Sequence, residues 1–125
     1  MNQEEKTKLI NAWISYHKNG TSTSQTNDQF WAWEMLDKFV SEQPELAWEV
    51  ILGILAEDQS AVVMTNVAAG PLENLMARHG RSFVDRIDQQ ARKNSEFRFL
   101  LNGVWSSNID PAILKKLTRY RKNPW

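Results

Sequence analysis

The sequence predicts an all-α fold, an array of about seven to eight short helices stacked in antiparallel pairs. Three observations predict it. Apolar residues recur at helical spacing along most of the chain. Helix punctuation at Pro44, Gly70-Pro71, Gly80 and Asp110-Pro111 cuts that pattern into short pieces. No segment alternates apolar and polar residues as a half-buried strand does.

The first helix is expected over about Gln3 to His17, where Leu9, Ile10, Trp13, Ile14 and His17 share a face. Asn19-Gly20 stops it, and the polar stretch Thr21 to Thr26 reads as a surface loop. A second helix runs from about Asp28 to Ser41, with Asn27 or Asp28 as cap. Phe30, Trp31, Trp33, Leu36, Phe39 and Val40 give it a broad apolar face, and Glu34 and Lys38 are spaced as a favourable i,i+4 pair. Pro44 opens a third helix through Asp58. That helix is apolar nearly all round, with Glu45, Glu49 and Glu57 on one narrow wet stripe, so it belongs at the centre.

The fourth helix covers Ser60 to Ala69 despite three valines, because no alternation accompanies them. Gly70-Pro71 reads as an abrupt corner. A fifth helix then runs from Pro71 to His79 and stops at Gly80. Ser82 is expected to cap a sixth helix, a surface helix with a narrow stripe of Phe83, Val84, Ile87 and Ala91. Ser95 starts a seventh, with Phe97, Leu100, Leu101 and Val104 inward. Asp110-Pro111 starts an eighth, carrying Ile113, Leu114, Leu117 and Tyr120. Short helices with tight corners are the geometry of HEAT-like repeats, although no exact internal repeat is visible.

The 125 residues suit one domain, 1–125. With no cysteine, disulfides, thiolate zinc sites and cysteine nucleophiles are excluded. The charged start, MNQEEKTKLINAW, does not read as a signal peptide, and no apolar run is long enough to span a membrane. A cytoplasmic protein is the expectation. Net charge is zero, yet residues 1–63 hold ten acids and four lysines, and residues 64–125 hold five acids and eleven bases. The halves are −6 and +6. Either they attract each other, or one of them faces a charged partner.

No catalytic or metal-binding signature is present. His17 and His79 are far apart and lack partners at ligand spacing, and read as helix-end residues complementing the dipole. No Gly-x-Ser-x-Gly elbow or phosphate-binding glycine loop occurs. Glu73 sits where it can accept from free N–H groups at a helix start, or pair with an arginine across the corner. Trp13, Trp31, Trp33, Trp48 and Trp105 read mostly as core, and Trp125 as a frayed end. Trp31 and Trp33 are two apart and cannot point the same way, so one of them should be exposed as a candidate anchor. The basic end, LKKLTRYRKNPW, with Tyr120 as a stacking surface, could touch nucleic acid; a solvated basic helix face explains it as well.

Trp33, Leu36 and Asp37, then Pro44-Glu45 and Ala47-Trp48, then Ala68-Ala69-Gly70-Pro71-Leu72-Glu73, Leu75 and His79-Gly80, then Ile87, Ala91, Phe97 and Gly103-Val104-Trp105, form a pattern over residues 30–105. It resembles a family of small bacterial helical proteins, a domain of unknown function. The resemblance implies a compact helical domain and carries over no functional residue.

These readings converge on a small protein-binding module that is not an enzyme and uses no cofactor or metal. Its most concrete form is an immunity protein that neutralises a toxin by binding it, the expected partner being a basic toxin domain. Trp31 or Trp33 would anchor the partner, and Glu34, Asp37, Glu42, Glu45 and Glu49 would supply the negative field. A HEAT-like adaptor or self-associating scaffold is the alternative. A nucleic-acid binder using the C-terminal helix comes next, and an enzyme built on Glu73 last.

Overall fold

The computed structural model describes residues 1–19, 28–105 and 107–122. Among these every regular element is helical. The chain divides into two compact units, Met1–Asn66 and Val67–Trp125.

In the first unit, α1 (Gln3–Asn19), α2 (Phe30–Glu42) and α3 (Pro44–Glu57) pack on one another. A reciprocal cap starts α1: the Glu5 N–H donates to Asn2 Oδ1 at 2.8 Å, and the Asn2 N–H donates to Glu5 Oε1 at 3.0 Å. Leu9, Ile10, Ala12, Trp13 and Ile14 form its buried face. α2 begins after Gln29, which makes no side-chain cap, so Asp28 does not serve as one. Asn27 and the loop Thr21 to Thr26 lie outside the described residues. Gln43 ends α2 and precedes Pro44, the first residue of α3. Ala47, Trp48, Val50, Ile51 and Ile54 of α3 are buried, as its apolar circumference requires. Gly53 lets α3 approach α1 closely, because a Cβ there would run into Ile10 Cδ1. Beyond α3, Asp58 accepts from Lys18 Nζ at 2.9 Å and from the Ser60 N–H at 2.8 Å. The Lys18 hydrogen bond is the main reason its carboxyl is held down to about 2.

α4 (Ala61–Val67) is helical despite its valines. The corner expected at Gly70-Pro71 is absent. A π turn, Ala68–Leu72, carries the helical path directly into α5 (Glu73–Lys93). Leu72 and Glu73 keep right-handed helical backbone angles. Proline has no N–H for the carbonyl four residues back, and its ring crowds that oxygen. The wider π turn absorbs both problems without ending the helix.

The break expected at His79-Gly80 is present, as a kink. α5 kinks at His79 (φ −131°, ψ 22°) and continues. Gly80 has no positive φ. It is buried because Ile113 Cδ1 occupies the space where a Cβ would stand. His79, where the fifth helix was expected to end, is the point at which two helical stretches of α5 meet across a kink; Ser82, expected to cap the second of them, makes no capping hydrogen bond among the described residues.

In the second unit α5 packs against both α6 (Ser95–Leu101) and α7 (Pro111–Leu117), which is followed by a 3-10 turn, Thr118–Tyr120. Asn94 caps α6 by accepting from the Phe97 N–H at 2.9 Å. Asp110 caps α7 by accepting from the Ala112 N–H at 2.9 Å, with Pro111 in the first turn as expected. Asp88 joins α5 to the 3-10 turn. It accepts from the Tyr120 hydroxyl at 2.7 Å and from Arg119 at 2.9 Å, and pairs with Arg92 at 3.1 Å. These contacts, the Tyr120 hydroxyl first, hold its carboxyl below the usual range.

Candidate functional site

The buried side of α2 is Ala32, Leu36, Phe39 and Val40. At 3.6 residues per turn that leaves Phe30, Trp33, Glu34, Asp37 and Ser41 on one outward stripe, and all five are exposed. The stripe is therefore aromatic at its N-terminal end and acidic beyond it. Trp33 keeps 41% of its surface in water and Phe30 keeps 44%. Their rings stack at 5.6 Å with 11° between planes. Phe30 was expected to face inward with the other aromatics; the register of α2 turns it out. Trp31 lies on the flank, half-buried. It borders a shallow cavity of about 470 Å³ lined also by Lys8, Asn11, Ala12, Ser15 and Gln29.

The exposed rings are continuous with the core. Buried Trp13 meets His17 at 4.1 Å, His17 meets Tyr16 at 5.0 Å, and Tyr16 meets Phe30 at 5.8 Å. An aromatic column thus runs from the interior of the first unit to Trp33. Burial holds the His17 imidazole down to about 4, and its Nε2 is buried with no hydrogen-bond partner among the described residues. His17 is consequently neutral near pH 7 and does not complement the helix dipole as a cation, as its place in the last turn of α1 suggested.

Glu34 and Asp37 are exposed, and among the described residues Glu34 and Lys38 form no ion pair, contrary to their spacing. Glu45 and Glu49 are exposed on α3. Glu49 pairs with Lys6 at 3.6 Å, which partly neutralises it. The structure thus brings Trp33, Glu34 and Asp37 onto one stripe, adds Phe30, leaves Trp31 at the edge, and carries Glu45 and Glu49 on a different helix.

Three residues of the second unit differ from their sequence readings. Glu73 Oε1 accepts from the Trp105 N–H at 2.9 Å, 32 residues away, and so is neither a local helix-start acceptor nor an arginine partner. Trp105 is 70% exposed rather than packed. The supposed stacking surface, Tyr120, is half-buried with its hydroxyl on Asp88. Trp125 lies outside the described residues. No group of three His, Cys, Asp or Glu side chains among the described residues could hold a metal ion, and no described helix is long and apolar enough to cross a membrane.

A family model matches residues 19–125, from the end of α1 onward. The chain belongs to a family of unknown function, DUF6869. No curated protein and no solved structure matches it. The DUF6869 match takes in the α2 stripe, the π turn, and the tie between Glu73 and Trp105.

Proposed function

We propose that this DUF6869 chain works by binding another protein through the stripe on α2, most concretely as a bacterial, cytoplasmic immunity protein that neutralises a basic toxin domain. The observation that carries the reading is the exposed Phe30–Trp33 stack standing beside Glu34 and Asp37 on one helix face. A ring pair supported by a column reaching the core loses little freedom on binding, which suits an anchor. Unpaired carboxylates beside it attract a cationic surface and speed encounter. No catalytic group is needed, since a bound partner is blocked sterically.

The nucleic-acid alternative is weaker. Arg119 and Tyr120 are engaged by Asp88, and Arg121 by backbone carbonyls, so the basic end offers fewer free donors than its sequence suggests. The test is co-expression with the product of the adjacent gene. The reading expects protection from that product's toxicity, and loss of protection in Trp33→Ala combined with Glu34→Lys. An adjacent product that is harmless and does not bind, or protection indifferent to both substitutions, counts against it.

A further inference from the structure

The aromatic column of the first unit ends at Trp33. Phe30 meets Tyr16 at 5.8 Å and Trp33 at 5.6 Å. The 11° angle between Phe30 and Trp33 lays the two rings nearly parallel, so Trp33 turns one face to Phe30 and the other away from it. Among the described residues no other ring and no cation stands over that second face. Phe30 is three residues before Trp33, so the open face is turned towards the following turn of α2, where Asp37 stands four residues on. Side chains on a helix lean towards its N-terminus, which brings the Asp37 carboxylate back towards that face.

Charge and shape together narrow what fits there. Glu34 and Asp37 are exposed, three residues apart on the stripe, and form no ion pair among the described residues, although Lys38 is next to Asp37. An anion is repelled by both carboxylates. A cation is attracted twice, by the carboxylates and by the negative face of the indole. The two common side-chain cations differ. A lysine ammonium is a compact, strongly hydrated charge that must give up water to lie on a ring. An arginine guanidinium is planar and weakly hydrated. It lies flat on an indole while the N–H groups at its edge stay in plane to donate to a carboxylate beside the ring. A flat face with acceptors at its rim matches the guanidinium.

We propose that the open face of Trp33, with Asp37 and Glu34 at its rim, is a recognition site for an arginine side chain of the protein partner. The guanidinium stacks on the indole, on the side opposite Phe30, and donates to Asp37, with Glu34 as the second acceptor. Phe30 backs the indole and limits its freedom before the arginine arrives, which lowers the entropy lost on binding. The assignment rests on the α2 stripe being the protein-binding face of the proposed function, and adds the chemical group that the stripe selects.

The experiment is a nuclear magnetic resonance titration of the isotope-labelled full chain with acetyl-Gly-Arg-Gly-amide, against the same peptide with lysine in place of arginine. The Trp33 indole N–H signal is identified by its loss in Trp33→Phe. The arginine peptide should shift it saturably, with a dissociation constant of roughly 1–10 mM. The lysine peptide should bind about fivefold more weakly. Asp37→Asn should weaken the arginine peptide about fivefold and bring it level with the lysine peptide. Glu42→Gln removes an exposed carboxylate of α2 on the side away from Trp33 and should leave the affinity unchanged. Asp37 and Glu42 are both exposed, and unchanged circular dichroism confirms that the variants fold. An unmoved Trp33 signal, equal affinity for the two peptides, or an Asp37→Asn chain that keeps the arginine preference overturns the inference. A trimethyl-lysine peptide that binds more tightly than the arginine peptide also overturns it, and gives the face to a quaternary ammonium. An adjacent-gene product bound through Trp33, with the arginine peptide leaving the Trp33 signal unmoved, removes the arginine site alone. An arginine peptide recognised by a chain that binds no such product leaves the site standing and removes the immunity reading.

Discussion

Protonating His17 should destabilise the fold, and the effect should be confined to a narrow pH window. Its imidazole rests against Trp13 and Tyr16, with Nε2 buried and without a hydrogen-bond partner among the described residues. Burial lowers its folded-state value from 6.5 to about 4. Between those values the unfolded chain binds the proton and the folded chain does not, so stability falls as pH drops from about 7 towards 4. Below that, both states are protonated and the loss is complete. At about 1.36 kcal/mol per unit the ceiling is about 3 kcal/mol. The ring is only partly buried, so solvent screening reduces the expected loss to about 1–2 kcal/mol. Urea denaturation followed at pH 7, 6, 5 and 4.5 reads the loss as a falling midpoint. His17→Phe keeps an aromatic ring in the column and removes the titration, so its midpoint should change much less over this range. Asp58, held near 2, titrates below the window. A wild-type midpoint that is flat from pH 7 to 4.5, or a His17→Phe variant with the wild-type slope, refutes the reasoning.

Three further outcomes follow from the second unit. Glu73→Ala removes the acceptor for the solvent-exposed Trp105 N–H and should cost about 0.5–1.5 kcal/mol by chemical denaturation, with Glu73→Gln costing less because its amide oxygen still accepts. Pro71→Ala should change stability by about 1 kcal/mol or less, since a regular helical turn can replace the π turn, whereas Leu72→Ala or Leu75→Ala, both fully buried, should cost about 2–5 kcal/mol; the reverse order in thermal melts contradicts the account of the π turn. Gly80→Ala should change stability by about 1 kcal/mol or less, because the helix-propensity gain offsets a small shift of Ile113 Cδ1, the far end of a flexible side chain, and in the Ile113→Val background, which lacks that atom, the substitution should be more favourable; equal effects in both backgrounds exclude the contact with Cδ1 as a factor.

Helical periodicity made the element types and most of the buried faces legible in the sequence. α3 is buried as its apolar circumference demands, and Asp110-Pro111 starts α7 as its capping chemistry predicts. The punctuation was less transparent. Gly70-Pro71 carries the residues of a corner, but a π turn admits the proline; His79-Gly80 does mark a break, as a kink, with Gly80 packed against Ile113 and without a positive φ. Local sequence does not contain the Gly80 contact, because Ile113 arrives from α7. At the candidate site, the two-residue spacing of Trp31 and Trp33 required one to turn outward, and Trp33 does. Phe30 was missed because an apolar residue at a helix start looks like core until the register is known; its i,i+3 and i,i+4 spacing to Trp33 and Glu34 was the available signal. The tie of Glu73 to Trp105 spans 32 residues and has no local signature.

The central claim is that the α2 stripe binds a protein, with Trp33 as anchor and Glu34 and Asp37 as the steering charge. The measurement that tests it most directly is association and dissociation kinetics of the purified chain with the adjacent-gene product at two salt concentrations. Trp33→Ala should raise the dissociation rate by about 30-fold, an anchor-sized loss of about 2 kcal/mol. Glu34→Lys with Asp37→Lys should mainly slow association, and added salt should slow the wild type towards that variant. Tight binding whose rates ignore salt and all three substitutions would place the interface elsewhere on the chain and contradict the account.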